Sequence, residues 1–186
     1  MSALRHTMID DLSEHPGDEL VREVFAHVGL CLYLAQCVET ALIGVLAALA
    51  TAKHAQPIRK TFDELHERYE TFTLGNLLKE LARHGVASDE LMRSLRDVKD
   101  ERDYLAHRIF RDRAVDFAAT GGCLEMIQEL MARRDRLIAL DDDLYQLFVE
   151  AYARTGADPR LRDQRTSAEM SKMLASAREK YGRRGT

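Results

Sequence analysis

The residues with the clearest chemical potential are an arginine and a histidine five positions apart, Arg102 and His107. Arg102 fills a slot between Val98 and Leu105 in a stripe of apolar residues that recurs in steps of three and four, as on a helix. A cation in a buried stripe is costly unless an anion or a cleft receives it. Histidine is the side chain whose unperturbed pKa lies closest to neutrality. This pair is therefore the strongest functional clue in the sequence.

The spacing of the pair leaves two interpretations open. On an ideal helix, residues five apart point about 140° away from each other. Both therefore reach one cleft only if the helix is distorted or its edge faces a partner. In the ordinary alternative, Arg102 forms a salt bridge with a carboxylate, and His107 caps the helix or packs at the surface.

Other kinds of site find little support. The seven histidines form no metal-binding motif, and neither glycine-rich phosphate-loop pattern occurs. The run Asp141-Asp142-Asp143 favours a solvated face over a metal site. A Cys/His nucleophile pair stays open, although cysteines inside apolar runs are usually inert. We therefore expect no metal and no cofactor.

The composition predicts an all-α chain. There are 3 prolines and no tryptophan, and alternating β-branched runs are nearly absent. We predict an up-and-down helical bundle of about five helices in residues 17–155. A loose leader precedes it in residues 1–16, and a basic tail with one possible extra helix follows in residues 156–186.

The helix boundaries follow from capping residues and breakers. Ser88 is a candidate N-cap and Gly85 a candidate C-terminal glycine. The predicted helices span residues 18–54, 58–69, 77–84, 88–117 and 123–154, with a break at Gly121-Gly122.

The apolar stretch of residues 28–50 is long enough to cross a membrane. Glu39 lies at its middle, where a carboxylate costs a few kcal/mol in lipid, about 2.5–3.5, so we predict a buried central helix and no membrane partner. The acidic N-terminus lacks the apolar core of a secretion signal. Three cysteines without metal-like spacing also suggest reduced thiols, and thus a cytoplasmic protein.

Basic residues are concentrated at the C-terminus. From Gly156 onward, eight Lys or Arg residues face four acids, which leaves about +4 on the tail and −8 on the rest of the net −4 chain. Such a tail either binds nucleic-acid phosphates or is an ordinary solvated terminus.

The segment Arg102-Asp-Tyr-Leu-Ala-His107 lies on the penultimate long helix of this all-α chain. It resembles the Arg-x(4–6)-His signature of the HEPN superfamily (higher eukaryotes and prokaryotes nucleotide-binding), in which a polar residue such as Asp103 often follows the arginine. Residues 72–81 (FTLGNLLKEL) are also similar to bacterial members. The resemblance covers residues 18–154.

The resemblance implies a dimeric bundle with two Arg/His sets at a shared cleft, and a metal-independent ribonuclease in a toxin or antiviral setting. His107 would handle a proton while the RNA 2′-hydroxyl attacks the adjacent phosphate. Arg102 would stabilise charge on the phosphoryl oxygens, and Asp103 would hold the arrangement. The expected product is a 2′,3′-cyclic phosphate.

Three further arginines follow on the same segment and could guide RNA, or could form an ordinary charged surface: Arg108, Arg111 and Arg113. The His-x-Tyr pattern of one toxin branch is absent, although a regulatory antitoxin stays a possible partner. Nearby acids repel RNA unless they are paired. The alternative function is therefore a non-catalytic helical module that binds a nucleotide or a protein partner.

Overall fold

The computed structural model describes residues 16–53 and 59–156, and every regular element in these ranges is an α-helix. There are seven: α1 (Asp18–Thr51), α2 (Arg59–Glu70), α3 (Leu74–His84), α4 (Asp89–His107), α5 (Ile109–Asp112), α6 (Ala114–Phe117) and α7 (Thr120–Ala153). Five exceed ten residues. The all-α prediction is therefore confirmed. The predicted leader up to residue 15 and the tail beyond Gly156, including its extra helix, lie outside the described residues.

The two 34-residue helices, α1 and α7, form the centre of the fold and run parallel. The thiol of Cys31 donates a hydrogen bond to the carbonyl of Leu130 (3.3 Å) near their beginnings. Gly44 meets the ring of Phe148 near their ends. α4 runs antiparallel to α7. Glu101 of α4 bonds Arg136 of α7, and the residues of α4 that precede Glu101 share a groove with the residues of α7 that follow Arg136.

α1 passes a length and composition test for a membrane span. Its apolar second half is accounted for by the bundle, since all residues from Leu42 to Leu49 are buried. A helix that is apolar on every side belongs in the middle of a protein core. The prediction of a buried central helix is thus confirmed for residues 42–49, whereas Leu30 and Tyr33 in the first half of the stretch are exposed.

Local capping chemistry is confirmed at Ser88 and Gly85, and a further cap is present at Thr73. The hydroxyl of Ser88 accepts a hydrogen bond from the Leu91 amide (3.1 Å), as expected at an N-cap. Thr73 does the same for the Asn76 amide (3.3 Å) and begins α3, three residues earlier than predicted. Gly85 ends α3 in the left-handed region, with φ 64°.

The helix predicted for residues 88–117 is wrong in its last third, because α4 ends at His107. Arg108 leaves helical geometry (φ −130°, ψ −28°), and Arg113 does so again (φ −109°, ψ 24°). These breaks bring the rings of Phe110 and Phe117 to 5.3 Å, with Phe25 of α1 beside both. Seven residues span about 10.5 Å along a straight helix, so the bend is what lets both rings pack on one neighbour. We call residues 108–122 the corner.

Gly121 and Gly122 begin α7, whereas the sequence predicted that they precede it. A Cβ on Gly122 would lie only 2.5 Å from the Cα of Asp116 and 2.6 Å from its carbonyl carbon. A side chain at this position is therefore excluded by backbone of the corner. α7 continues without interruption through the triple aspartate to Ala153.

Candidate functional site

Arg102 lies in the apolar stripe of α4, as predicted, between buried Val98 and Leu105. Its side chain is 35% exposed, and its Nε lies 3.5 Å from Oδ1 of Asp103. That Nε atom is itself buried and makes no hydrogen bond. An unsatisfied buried donor costs about 1–3 kcal/mol, so the guanidinium is held without its full set of acceptors.

His107 is exposed and is the last residue of α4. The helix is regular from Arg102 to His107, so the two side chains diverge by about 140° and lie about 7.5 Å apart along the axis. Within residues 16–53 and 59–156, no hydrogen bond or ion pair joins them. Arg102 and His107 could reach one cleft if the helix were distorted or if its edge faced a partner. The helix is not distorted, so only the second condition can bring them together.

Asp103 is half-buried and connects Arg102 to a second cation. Its Oδ2 accepts a hydrogen bond from the ammonium of Lys99 (3.2 Å), which also reaches Asp100 (3.4 Å). These carboxylates raise the pKa of Lys99, with Asp103 contributing most. Asp103 is therefore a bridge between two positive side chains, a position from which it can orient Arg102.

The acids around the motif are mostly paired. Glu101 bonds Arg136 (2.7 Å) and lies 3.9 Å from Arg133, both on α7. Lys99 pairs with both Asp100 and Asp103. Three of the four acids nearest the motif therefore have a cationic neighbour, and the fourth is Asp97. The repulsion that they would exert on a phosphate is reduced accordingly.

Two more arginines lie against the ring of Tyr104 at this end of α4. The guanidinium carbon of Arg108 lies 5.6 Å from the ring centroid, and that of Arg133 lies 5.5 Å from it. Both distances are within cation–π range. Arg133 and Arg136 are absent from the sequence-based site, although the run Arg133-Arg134-Asp-Arg136 was a visible basic signal.

The three arginines predicted to guide RNA differ in availability. Arg108 and Arg111 are exposed, and Arg111 has one ionic neighbour, Asp112 at 3.0 Å. Arg113 is half-buried and bonds both Asp116 and Glu129. Those bonds, Glu129 first, raise the pKa of Arg113. Arg113 thus has a structural partnership that the other two lack.

A groove of about 640 Å³ runs between α4 and α7 on the side of Glu101. Asp97, Asp100 and Asp143 line it, with Arg136 as its cation. An acidic groove disfavours phosphate. Among the described residues, no group of three His, Cys, Asp or Glu is placed to hold a metal.

The chain matches no protein-family model, no curated protein and no solved structure.

Proposed function

We propose that this protein is a metal-independent endoribonuclease of the HEPN type. The observation that carries the proposal is the guanidinium of Arg102, which is half-buried and has a buried Nε without a hydrogen bond. An arginine of this kind is prepared for an anionic acceptor such as a phosphoryl group. His107, an exposed proton carrier, follows five residues later on the same helix.

In the proposed reaction, the 2′-oxygen of one nucleotide attacks the adjacent phosphorus, and the bond from phosphorus to the 5′-oxygen breaks. His107 handles the proton of the 2′-hydroxyl or of the departing 5′-oxygen. Arg102 stabilises the charge that grows on the phosphoryl oxygens, with Asp103 orienting it. The products are a 2′,3′-cyclic phosphate and a 5′-hydroxyl end.

A homodimer is part of the proposal, because one chain points Arg102 and His107 in different directions. Two chains can supply the arginine and the histidine of one cleft if they meet near the end of α4. Large apolar side chains are exposed close by, at the corner and its neighbour in α1: Val115 is 85% exposed and Phe25 is 51% exposed. Such exposure is typical of an interaction surface.

RNA would be guided by Arg108 and Arg111, which are exposed beside His107. We assign Arg113 a smaller part in RNA binding, since Asp116 and Glu129 already occupy its guanidinium. A cytoplasmic toxin or antiviral role, controlled by an antitoxin or another regulatory protein, is the setting that this activity suggests.

The test is incubation of the pure protein with mixed RNA in EDTA. Replacing Arg102→Ala or His107→Ala should lower cleavage by about 100- to 1,000-fold. Arg93→Ala is the matched control, because Arg93 is an exposed arginine at the opposite end of α4. Mass spectrometry of the product ends should show the cyclic phosphate.

The same divergence of Arg102 and His107 favours the second candidate, a non-catalytic module that binds a nucleotide or a protein. That candidate predicts no cleavage by the wild type, or cleavage that all three variants share with it. Either result removes the ribonuclease assignment.

A further inference from the structure

A second concave site lies away from Arg102, between α1, α2 and α7. This groove has a volume of about 800 Å³, within the range of small-molecule sites, which is about 300–1,000 Å³. Four aromatic rings line it: Tyr33, Phe62, Tyr145 and Phe148. We call it the aromatic groove. None of its lining residues belongs to the proposed ribonuclease site.

Two of these rings are open to solvent. Tyr33 is 61% exposed and Tyr145 is 45% exposed, whereas Phe148 is buried at the base beside Gly44. The ring of Phe148 lies 3.6 Å from where a Cβ on Gly44 would be, which is an ordinary van der Waals distance. The groove thus offers aromatic faces that the fold itself leaves uncovered.

The aromatic groove also contains one carboxylate, that of Asp141. Asp141 is half-buried, and none of the ion pairs among the described residues includes it. Burial, followed by the charge of Asp142, raises the pKa of Asp141. His66, another titratable residue of the wall, is engaged with Glu70 at 3.3 Å. Asp141 therefore lacks the cationic partner that a buried carboxylate favours.

We propose that the aromatic groove binds a small organic cation, an amine whose ammonium pairs with Asp141 and whose carbon skeleton packs on the aromatic rings. Aromatic faces attract cations as well as apolar groups, and the carboxylate selects positive charge. The walls are formed by residues within three helices and not at the helix ends. Their backbone groups are already hydrogen-bonded within those helices. An extended peptide would find no main-chain partner there, which favours a free small molecule.

The experiment compares three probes of nearly equal size and different charge, by NMR titration of the full-length protein: phenethylammonium, 2-phenylethanol and phenylacetate. We expect phenethylammonium to bind about tenfold more tightly than the alcohol, and phenylacetate to bind more weakly still. Asp141→Asn should abolish the difference between amine and alcohol. Asp142→Asn should preserve it, because Asp142 is exposed and does not line the groove.

Cys37 lines the same groove and gives an independent readout. Phenethylammonium should slow alkylation of the Cys37 thiol in the wild type and in Asp142→Asn, but not in Asp141→Asn. Thermal melts of each variant establish that it is folded.

Three results would overturn the proposal. The first is equal affinity of the wild type for the amine and the alcohol. The second is an equal loss of the preference for the amine in Asp141→Asn and Asp142→Asn. The third is a dimer that Tyr33→Glu dissociates and in which Cys37 stays protected whether or not the amine is present. That outcome would mean that a second copy of the chain covers the groove.

Discussion

The corner after His107 and the aromatic groove differ in whether their charged groups have partners and in how closely their atoms pack. In the corner, Arg113 bonds two carboxylates, and Gly122 lets the backbone of α7 touch that of Asp116. In the groove, Asp141 has no cationic neighbour among the described residues, and aromatic rings border open space. Arg113 of the corner is paired within the chain, and Asp141 of the groove is not.

This difference separates groups that build the fold from groups that are left for a ligand. A cation with two carboxylates and a glycine with no room for a methyl group fix the direction in which the chain leaves α4. A half-buried carboxylate without a partner reduces stability, and such a cost is common at binding sites. Substitutions should therefore destabilise the corner strongly and the groove little or not at all.

The largest expected effect is that of Gly122→Ala. The added methyl group would overlap the backbone of Asp116, which has no flexible end that could yield. We expect a loss of about 3 kcal/mol or more in the free energy of unfolding. Chemical denaturation followed by circular dichroism measures it.

Gly29→Ala is the matched control, because Gly29 lies in the exposed face of α1 with nothing within 4 Å of a Cβ. It should raise stability by up to about 1 kcal/mol, as alanine does in helix interiors. Similar losses in both variants would contradict the close contact assigned to Gly122.

A smaller effect is expected from Arg113→Met. It removes the bonds to Asp116 and Glu129 and leaves two carboxylates side by side. We expect a loss of about 1–2 kcal/mol. Arg111→Met should change stability by less than about 0.5 kcal/mol, since Arg111 is exposed with a single ionic neighbour.

The same two variants distinguish structural from RNA-binding arginines. In filter binding to RNA, Arg111→Met should weaken affinity and lower its salt dependence, whereas Arg113→Met should act mainly through stability. The reverse pattern would show that Arg113 is the arginine that contacts RNA.

Much of the fold could be predicted from local signals. Ser88 and Gly85 mark helix ends through bonds made within three residues of themselves, so the sequence contains the whole cause. The end of α4 at His107 could not be predicted in this way. Neither glycine nor proline occurs in residues 103–113, and the bend depends on Phe25, more than eighty residues earlier in the chain.

The candidate sites show the same limit. Helical periodicity placed Arg102 in the stripe of α4, where the structure also has it. It could not show that Glu101 is paired, since Arg133 and Arg136 come from α7. The aromatic groove was missed for the same reason, because its rings come from three separate helices. Within its own segment of sequence, Asp141 is simply one of three adjacent acids. It becomes half-buried only through the packing of α7 against the other helices.

A small effect on stability is expected at Asp141, and its size depends on pH. Because its pKa is raised in the folded state, the folded protein holds this proton more tightly than the unfolded chain does. Its contribution is therefore most favourable below the unfolded pKa of about 3.9 and declines as the pH rises through the folded pKa. At a pH well above the folded pKa, Asp141→Asn should stabilise the protein by up to about 1 kcal/mol.

The measurement is the difference in unfolding free energy between the wild type and Asp141→Asn from pH 3 upward, in the range where both variants fold. This difference should grow with pH and then level off, whereas that for Asp142→Asn should stay near zero because Asp142 is exposed. Phenethylammonium should narrow the gap at neutral pH by stabilising only the wild type, since a ligand that binds the folded state adds its binding free energy. A flat difference, like that expected for Asp142→Asn, would show that the folded protein does not disfavour the charge of Asp141, and it would remove the distinction between the two regions.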